Sequence, residues 1–79
     1  MINVFKITGE IKQIKSDRTI WLHNTKNALM PISCESKLKI EDYHVGEKVE
    51  VSGYVTTYKP LCVVELVATE IRILKKEEN

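Results

Sequence analysis

Residues 45–74 read VGEKVEVSGYVTTYKPLCVVELVATEIRIL, the pattern of two β-strands with a glycine inside the first and a polar turn between them. Val49, Val51, Gly53 and Val55 fall on one face of the first strand, and Lys48, Glu50, Ser52, Tyr54 and Thr56 on the other. That period of two buries one face and wets the opposite one. Gly46 supplies the turn before the strand, and Gly53 removes a side chain where a closed sheet bends sharply, as at a barrel corner. Val64, Leu66 and Ala68 alternate in the second strand and then change parity to Ile71 and Ile73, which predicts a β-bulge around Thr69 and Glu70. Tyr58, Lys59 and Pro60 are expected to end the first strand and form the loop.

The same alternation extends upstream. Phe5, Ile7, Gly9 and Ile11 share a face, and Ile14 breaks the rhythm by one position, so a bulge is expected near Gln13. Ser16, Asp17 and Arg18 form a polar turn. In a second strand, Thr19 to Asn24, Ile20 and Leu22 point inward and Trp21 and His23 outward. Asn24 to Asn27 are rich in turn formers, after which Ala28, Met30, Ile32 and Cys34 alternate inward as a third strand. Pro31 stands on the outward parity of that strand without a ladder donor, so the strand is an edge there or locally irregular. Ser36 to Tyr43 fit a helical turn or a plain loop, with Leu38 and either Ile40 or Tyr43 closing the barrel end.

Five strands with a short plug between the third and fourth match an all-β, five-stranded OB-fold, a Greek-key barrel in one small domain. An SH3-like barrel is the main competitor, but its sequences usually show a longer irregular loop early and a much shorter final hairpin. The domain is expected over residues 1–74, with 75–79 a frayed tail. The chain of 79 residues buries only a thin core, about 60% of its unfolded surface, and dimerisation would help it. Its 29% charged and 43% hydrophobic residues are ordinary for a globular protein.

No apolar run approaches the roughly 18 residues of a membrane span, and the N-terminus lacks a secretory pattern. A cytoplasmic protein without a membrane partner is expected. Cys34 and Cys62 lack metal-ligand spacing and are expected as free thiols in a reducing compartment. Net charge is +1, but residues 1–40 hold seven basic groups against three acids, and residues 41–79 five against eight. If the first half forms one side of the barrel, that side is electropositive.

Met30 and Pro31, the segment YHVGEKVEVSGYVTTYK (Tyr43 to Lys59) and the strand VVELVATEIRIL together resemble the closing half of bacterial single-stranded DNA-binding proteins. The resemblance is closer to the PriB-like primosomal replication proteins, and it covers a little over half the chain. Gly46 to Gly53 are similar to the family's glycine-flanked strand, and Val67 to Leu74 to its final strand. Anticodon-binding OB domains of aminoacyl-tRNA synthetases close with similar residues. The chain departs from the family in a shorter first half, in Asn27 or its neighbours standing where the primosomal proteins have a tryptophan, and in lacking an acidic partner-recruiting tip.

The resemblance implies a non-catalytic protein, dimeric, that binds single-stranded DNA, or RNA, in replication, recombination or a mobile-element context, with a protein partner from those processes. OB-folds hold single strands on the outer face of strands two and three, flanked by the loops between strands one and two and between four and five. Trp21 is the expected stacking platform, with His23 beside it; the competing reading has Trp21 capping the core or lying in a dimer contact. Lys12, Lys15 and Arg18 near the first loop and Lys26 at the second hairpin are candidates to neutralise phosphates. Tyr54 faces outward, and Tyr58 with Lys59 in the last loop pairs an aromatic with a cation. Phe5 is expected in the core. His44 has no second ligand nearby.

The sequence shows no phosphate-binding glycine loop, no metal spacing and no nucleophile motif. No catalytic residue, metal or cofactor is therefore expected. The alternative function is an OB-fold protein-interaction subunit of a larger complex with no nucleic-acid binding of its own. Binding of structured RNA is a third reading.

Overall fold

The computed structural model describes residues 3–24, 28–58 and 63–74. They form five strands and one short turn of 3-10 helix: β1 (Val4–Ile14), β2 (Thr19–His23), β3 (Leu29–Cys34), the helical turn (Ile40–Asp42), β4 (Lys48–Tyr58) and β5 (Val63–Ile73). The strands close into one barrel in the order β1-β2-β3-β5-β4. Neighbours are antiparallel except β3 and β5, which run parallel. This is the OB-fold architecture, and the 11-residue strands β4 and β5 make a final hairpin too long for an SH3-like barrel.

The period-two pattern lays the core down directly. Ile11, Ile20, Leu22, Ile32, Cys34, Val49, Val51, Ala68 and Ile71 are buried, and Phe5, Ile7, Ile14, Leu38, Ile40, Tyr43 and Leu66 pack around them. Ser36 to Tyr43, readable from sequence as turn or loop, holds the single helical turn. Tyr43 is anchored beneath it, its hydroxyl donating to the Ile71 carbonyl at 3.0 Å. The buried Cys34 thiol is pushed above its ordinary pKa by burial, which the nearby Arg18 charge partly offsets. Cys62 and the expected tail at 75–79 lie outside the described residues.

Two bulges let the flat alternation curl into a barrel. In β1 the register against β2 skips between Ile11 and Gln13, leaving Lys12 as the extra residue. In β5 Thr69 is the extra residue between the pairs Ser52↔Glu70 and Gly53↔Ala68. Its hydroxyl donates to the Ser52 carbonyl at 3.3 Å. Gly53 lies at this second bend, where a Cβ would stand 1.9 Å from the Val67 carbonyl oxygen. The strands cross there at a distance only a bare backbone permits.

Some apolar residues on the inward parity are not buried. Val64 is 64% exposed, because β1 pairs with β4 only as far as Val4↔Tyr54. Beyond that point β4 and β5 continue as a two-stranded ribbon, with no third strand among the described residues to cover it. Ala28 precedes β3 and is exposed, and Ile73 ends β5 at 44% exposure. Barrel closure is narrow on the β3 side. β3 and β5 share only the pairs Ser33↔Val67 and Cys34↔Ala68, with Glu35 N donating to Ala68 O just beyond at 3.1 Å. Among the described residues the edge of β3 from Leu29 to Ile32 is unpaired on that side, which accommodates Pro31 without loss of a ladder bond.

Candidate nucleic-acid interface

The turn between β1 and β2 is shaped by its own polar residues. Asp17 Oδ1 accepts from Thr19 N at 3.1 Å, and Lys15 N donates to Thr19 O at 2.9 Å. Arg18 takes a left-handed conformation with φ 71° between them. This geometry turns the chain back so that the Lys15 ammonium stands 5.9 Å from the centre of the Trp21 ring. At that distance the cation is attracted to the indole face.

Trp21 sits on the outer face of β2, in register with Gln13 of β1 and Pro31 of β3. Ile20 and Leu22 on either side point into the core, which forces the indole outward. The ring is half-buried against the sheet, and its Nε1 is covered with no acceptor among the described residues. What remains accessible of the indole is carbon, the surface on which a base stacks. His23 lies two residues along on the same face, half-buried, in register with Glu10 and Leu29.

The other candidate residues are divided among several places. Lys12 projects from the β1 bulge, with its ammonium 3.3 Å from Glu10 Oε2. Arg18 is turned into the protein. Its Nη2 donates to the Glu35 carbonyl at 2.6 Å and also to the Leu38 carbonyl. Tyr54 is half-buried on the outer face of β4, its hydroxyl 3.3 Å from Glu35 Oε2. Burial, and then the Glu35 charge, raise its phenol pKa. Tyr58 ends β4, paired with Val63, so its backbone belongs to the strand rather than to the loop. The Tyr58 side chain, Lys26 and Lys59 lie outside the described residues.

The positive charge of residues 1–40 does not collect on one face. Lys15 stands beside Trp21 and Lys12 pairs with Glu10, while Lys6 lies on the β1-β4-β5 side of the barrel in a shallow polar depression with Glu50, Ser52, Glu70 and Arg72. Lys37 is 3.7 Å from Glu35. The structure also brings together a pair on the outer face that the strand pattern does not reveal. Ser33 Oγ of β3 donates to Glu65 Oε2 of β5 at 2.6 Å. Both residues have outward parity, but the parallel pairing that joins them links strands far apart in sequence and leaves no local signature.

The Arg18 clamp carries a prediction about stability. Arg18→Ala is expected to lower stability by about 2–3 kcal/mol, because two carbonyls lose a charged donor and a left-handed backbone is kept. Arg18→Gly loses the same donor but tolerates the positive φ, so it should be about 1 kcal/mol less damaging. Urea unfolding of the two variants measures the difference, and equal losses would show that the backbone conformation carries no strain.

Comparison with known proteins matches this geometry at the level of fold. No protein-family model and no curated protein sequence matches the chain. Among solved structures, the crystal structure of the mitochondrial single-stranded DNA-binding protein Rim1 from S. cerevisiae superposes with a TM-score of 0.77 at 16% identity, covering 100% of both chains. A selenomethionine crystal structure of the same protein gives a TM-score of 0.72 at 18% identity over 98% of this chain and 99% of that one. The N-terminal domain of PriB from Thermoanaerobacter tencongensis, described as dimeric, gives 0.62 at 15% identity over 94% and 98%. The chain thus has the OB barrel found in single-stranded DNA-binding proteins. The likeness that residues 43–74 show to the PriB-like proteins extends, as fold, along nearly the whole chain. Among the described residues no helix is long and apolar enough to cross a membrane.

Proposed function

We propose that this chain is a non-catalytic, cytoplasmic, homodimeric protein that binds single-stranded DNA through residues 1–74, in replication, recombination or a mobile-element context. The observation that carries the reading is the indole of Trp21, held on the outer face of β2 with its carbon surface accessible and a lysine ammonium beside it. A base on such a ring gains stacking energy whatever its identity, and the adjacent cations meet the phosphates. Lys15 would leave the ring for a phosphate as the base arrives. Lys12 and His23 extend the same face along β1 and β2. Tyr54, Tyr58 and Lys59 would contribute from the β4–β5 side and Lys26 from the second hairpin, whereas Arg18 supports the surface from within.

The experiment is a titration of tryptophan emission with short single-stranded DNA. The sequence has one tryptophan, so the signal reports Trp21 alone. Quenching is expected, with affinity falling linearly in log salt at a slope of about −0.7 per phosphate neutralised. Constant emission together with an unshifted band in a native gel would reject the proposal. Co-purification of a protein partner under those conditions would favour the protein-interaction reading instead.

A further inference from the structure

Resting on the nucleic-acid reading, we infer that Glu65, oriented by Ser33, is a base-reading residue that favours bases carrying an exocyclic amino group next to the Trp21 platform. Pro31 is in register with Trp21, and Ser33 is in register with Val67 on the parallel strand β5. Counting back two residues on each strand brings Pro31 and Glu65 to the same level, just past the last paired residues of the seam. Trp21 and Pro31 are paired neighbours, and the Ser33–Glu65 hydrogen bond at 2.6 Å keeps the carboxylate on the same outer face two residues along β3. Held against Ser33 on that face, the carboxylate is placed to meet the outer edge of a base lying on the indole.

Glu65 is one of several acids without an ion pair among the described residues, and it is the one hydrogen-bonded to Ser33 on the outer face where β3 meets β5. Glu10, Glu35 and Glu50 each have a lysine or arginine within 4 Å, at 3.3, 3.7 and 2.8 Å, and Glu47 has His44 at 3.9 Å. Glu65 is exposed, and among the described residues no cation pairs with it. Its partner among the described residues is the Ser33 hydroxyl at 2.6 Å, which holds the carboxylate oxygen Oε2. An unneutralised carboxylate on a surface that receives phosphates weakens general affinity. It rewards only a ligand that brings hydrogen-bond donors, and the amino group of cytosine is such a donor. The uracil edge instead presents two carbonyl oxygens on either side of its single N–H, which the carboxylate repels.

Cytosine and uracil strands of equal length separate these effects, since both are pyrimidines with similar stacking and identical backbones. At mildly alkaline pH, where cytosine strands stay unstructured, the protein is expected to bind oligo(dC) about tenfold more tightly than oligo(dU), the worth of one charge-assisted hydrogen bond. Glu65→Ala should bring the ratio close to one while raising affinity for oligo(dU). Ser33→Ala should lower the ratio partway, because the carboxylate is then free to turn away. Equal binding of the two strands by the unmodified protein, or a preference that survives Glu65→Ala, would overturn the assignment of Glu65 and leave the nucleic-acid reading intact. Binding of neither strand would take down both.

Discussion

Trp21→Ala is expected to weaken binding of short single-stranded DNA by about 5- to 150-fold, the loss of one base–aromatic stack worth about 1–3 kcal/mol. The fold should survive the change. Trp21 belongs to the outer face of β2, and the inward residues around it, Ile20 and Leu22, keep their packing. Thermal unfolding by circular dichroism of Trp21→Ala checks that point, and fluorescence anisotropy of a labelled oligonucleotide measures the affinity. Trp21→Phe should retain most of the binding, because a smaller ring still offers a π-face. An unchanged affinity in Trp21→Ala would remove the stacking platform from the proposed function. A collapse in thermal stability would instead mean that the indole serves the barrel.

Gly53→Ala should have the largest effect on folding, about 4–5 kcal/mol or more, which approaches the whole stability of a domain this small. The added Cβ would meet the Val67 carbonyl oxygen at 1.9 Å and the Ala68 Cα at 3.0 Å. Both obstacles are backbone, so relief requires β4 and β5 to separate at the bend and break ladder hydrogen bonds. Gly9→Ala should cost less, since its Cβ would come 2.6 Å from the His23 carbonyl oxygen and 3.0 Å from the adaptable Leu22 side chain. Gly46→Ala should cost about 1 kcal/mol, because space is open there and only the φ of 100° is unfavourable to alanine. Denaturant midpoints of the three variants give the order directly. A mild Gly53→Ala would show that the β4–β5 crossing relaxes easily.

Much of the barrel is legible in the sequence because a half-buried strand writes its two faces into alternate residues. The parity changes at Ile14 and at Ile71 mark the bulges at Lys12 and Thr69, and most of the inward residues of β1, β2 and the middle of β3 to β5 form the core or pack on it. The parity of β2 likewise places Trp21 on the outer face. Other features depend on partners distant in sequence and leave no such trace. Arg18 reads as one more cation in a polar turn, yet it holds carbonyls 17 and 20 residues away. Tyr54 has the outward parity of its strand, but its hydroxyl reaches Glu35 at the end of β3. Charge summed over the first half of the chain gives no sign that Lys6 and Lys15 stand on different parts of the barrel surface. Val64 follows the inward parity into a ribbon that has run past the end of the barrel.

The narrow contact between β3 and β5 makes the barrel a hoop with one short weld. Every other strand junction is secured by four or more residue pairs, while this one has two. Spontaneous opening should begin there, at a fraction of the free energy needed to unfold the molecule. An extended polymer lying from Trp21 over Pro31 to Glu65 crosses that junction as a splint, so occupancy of the face and closure of the hoop would reinforce one another.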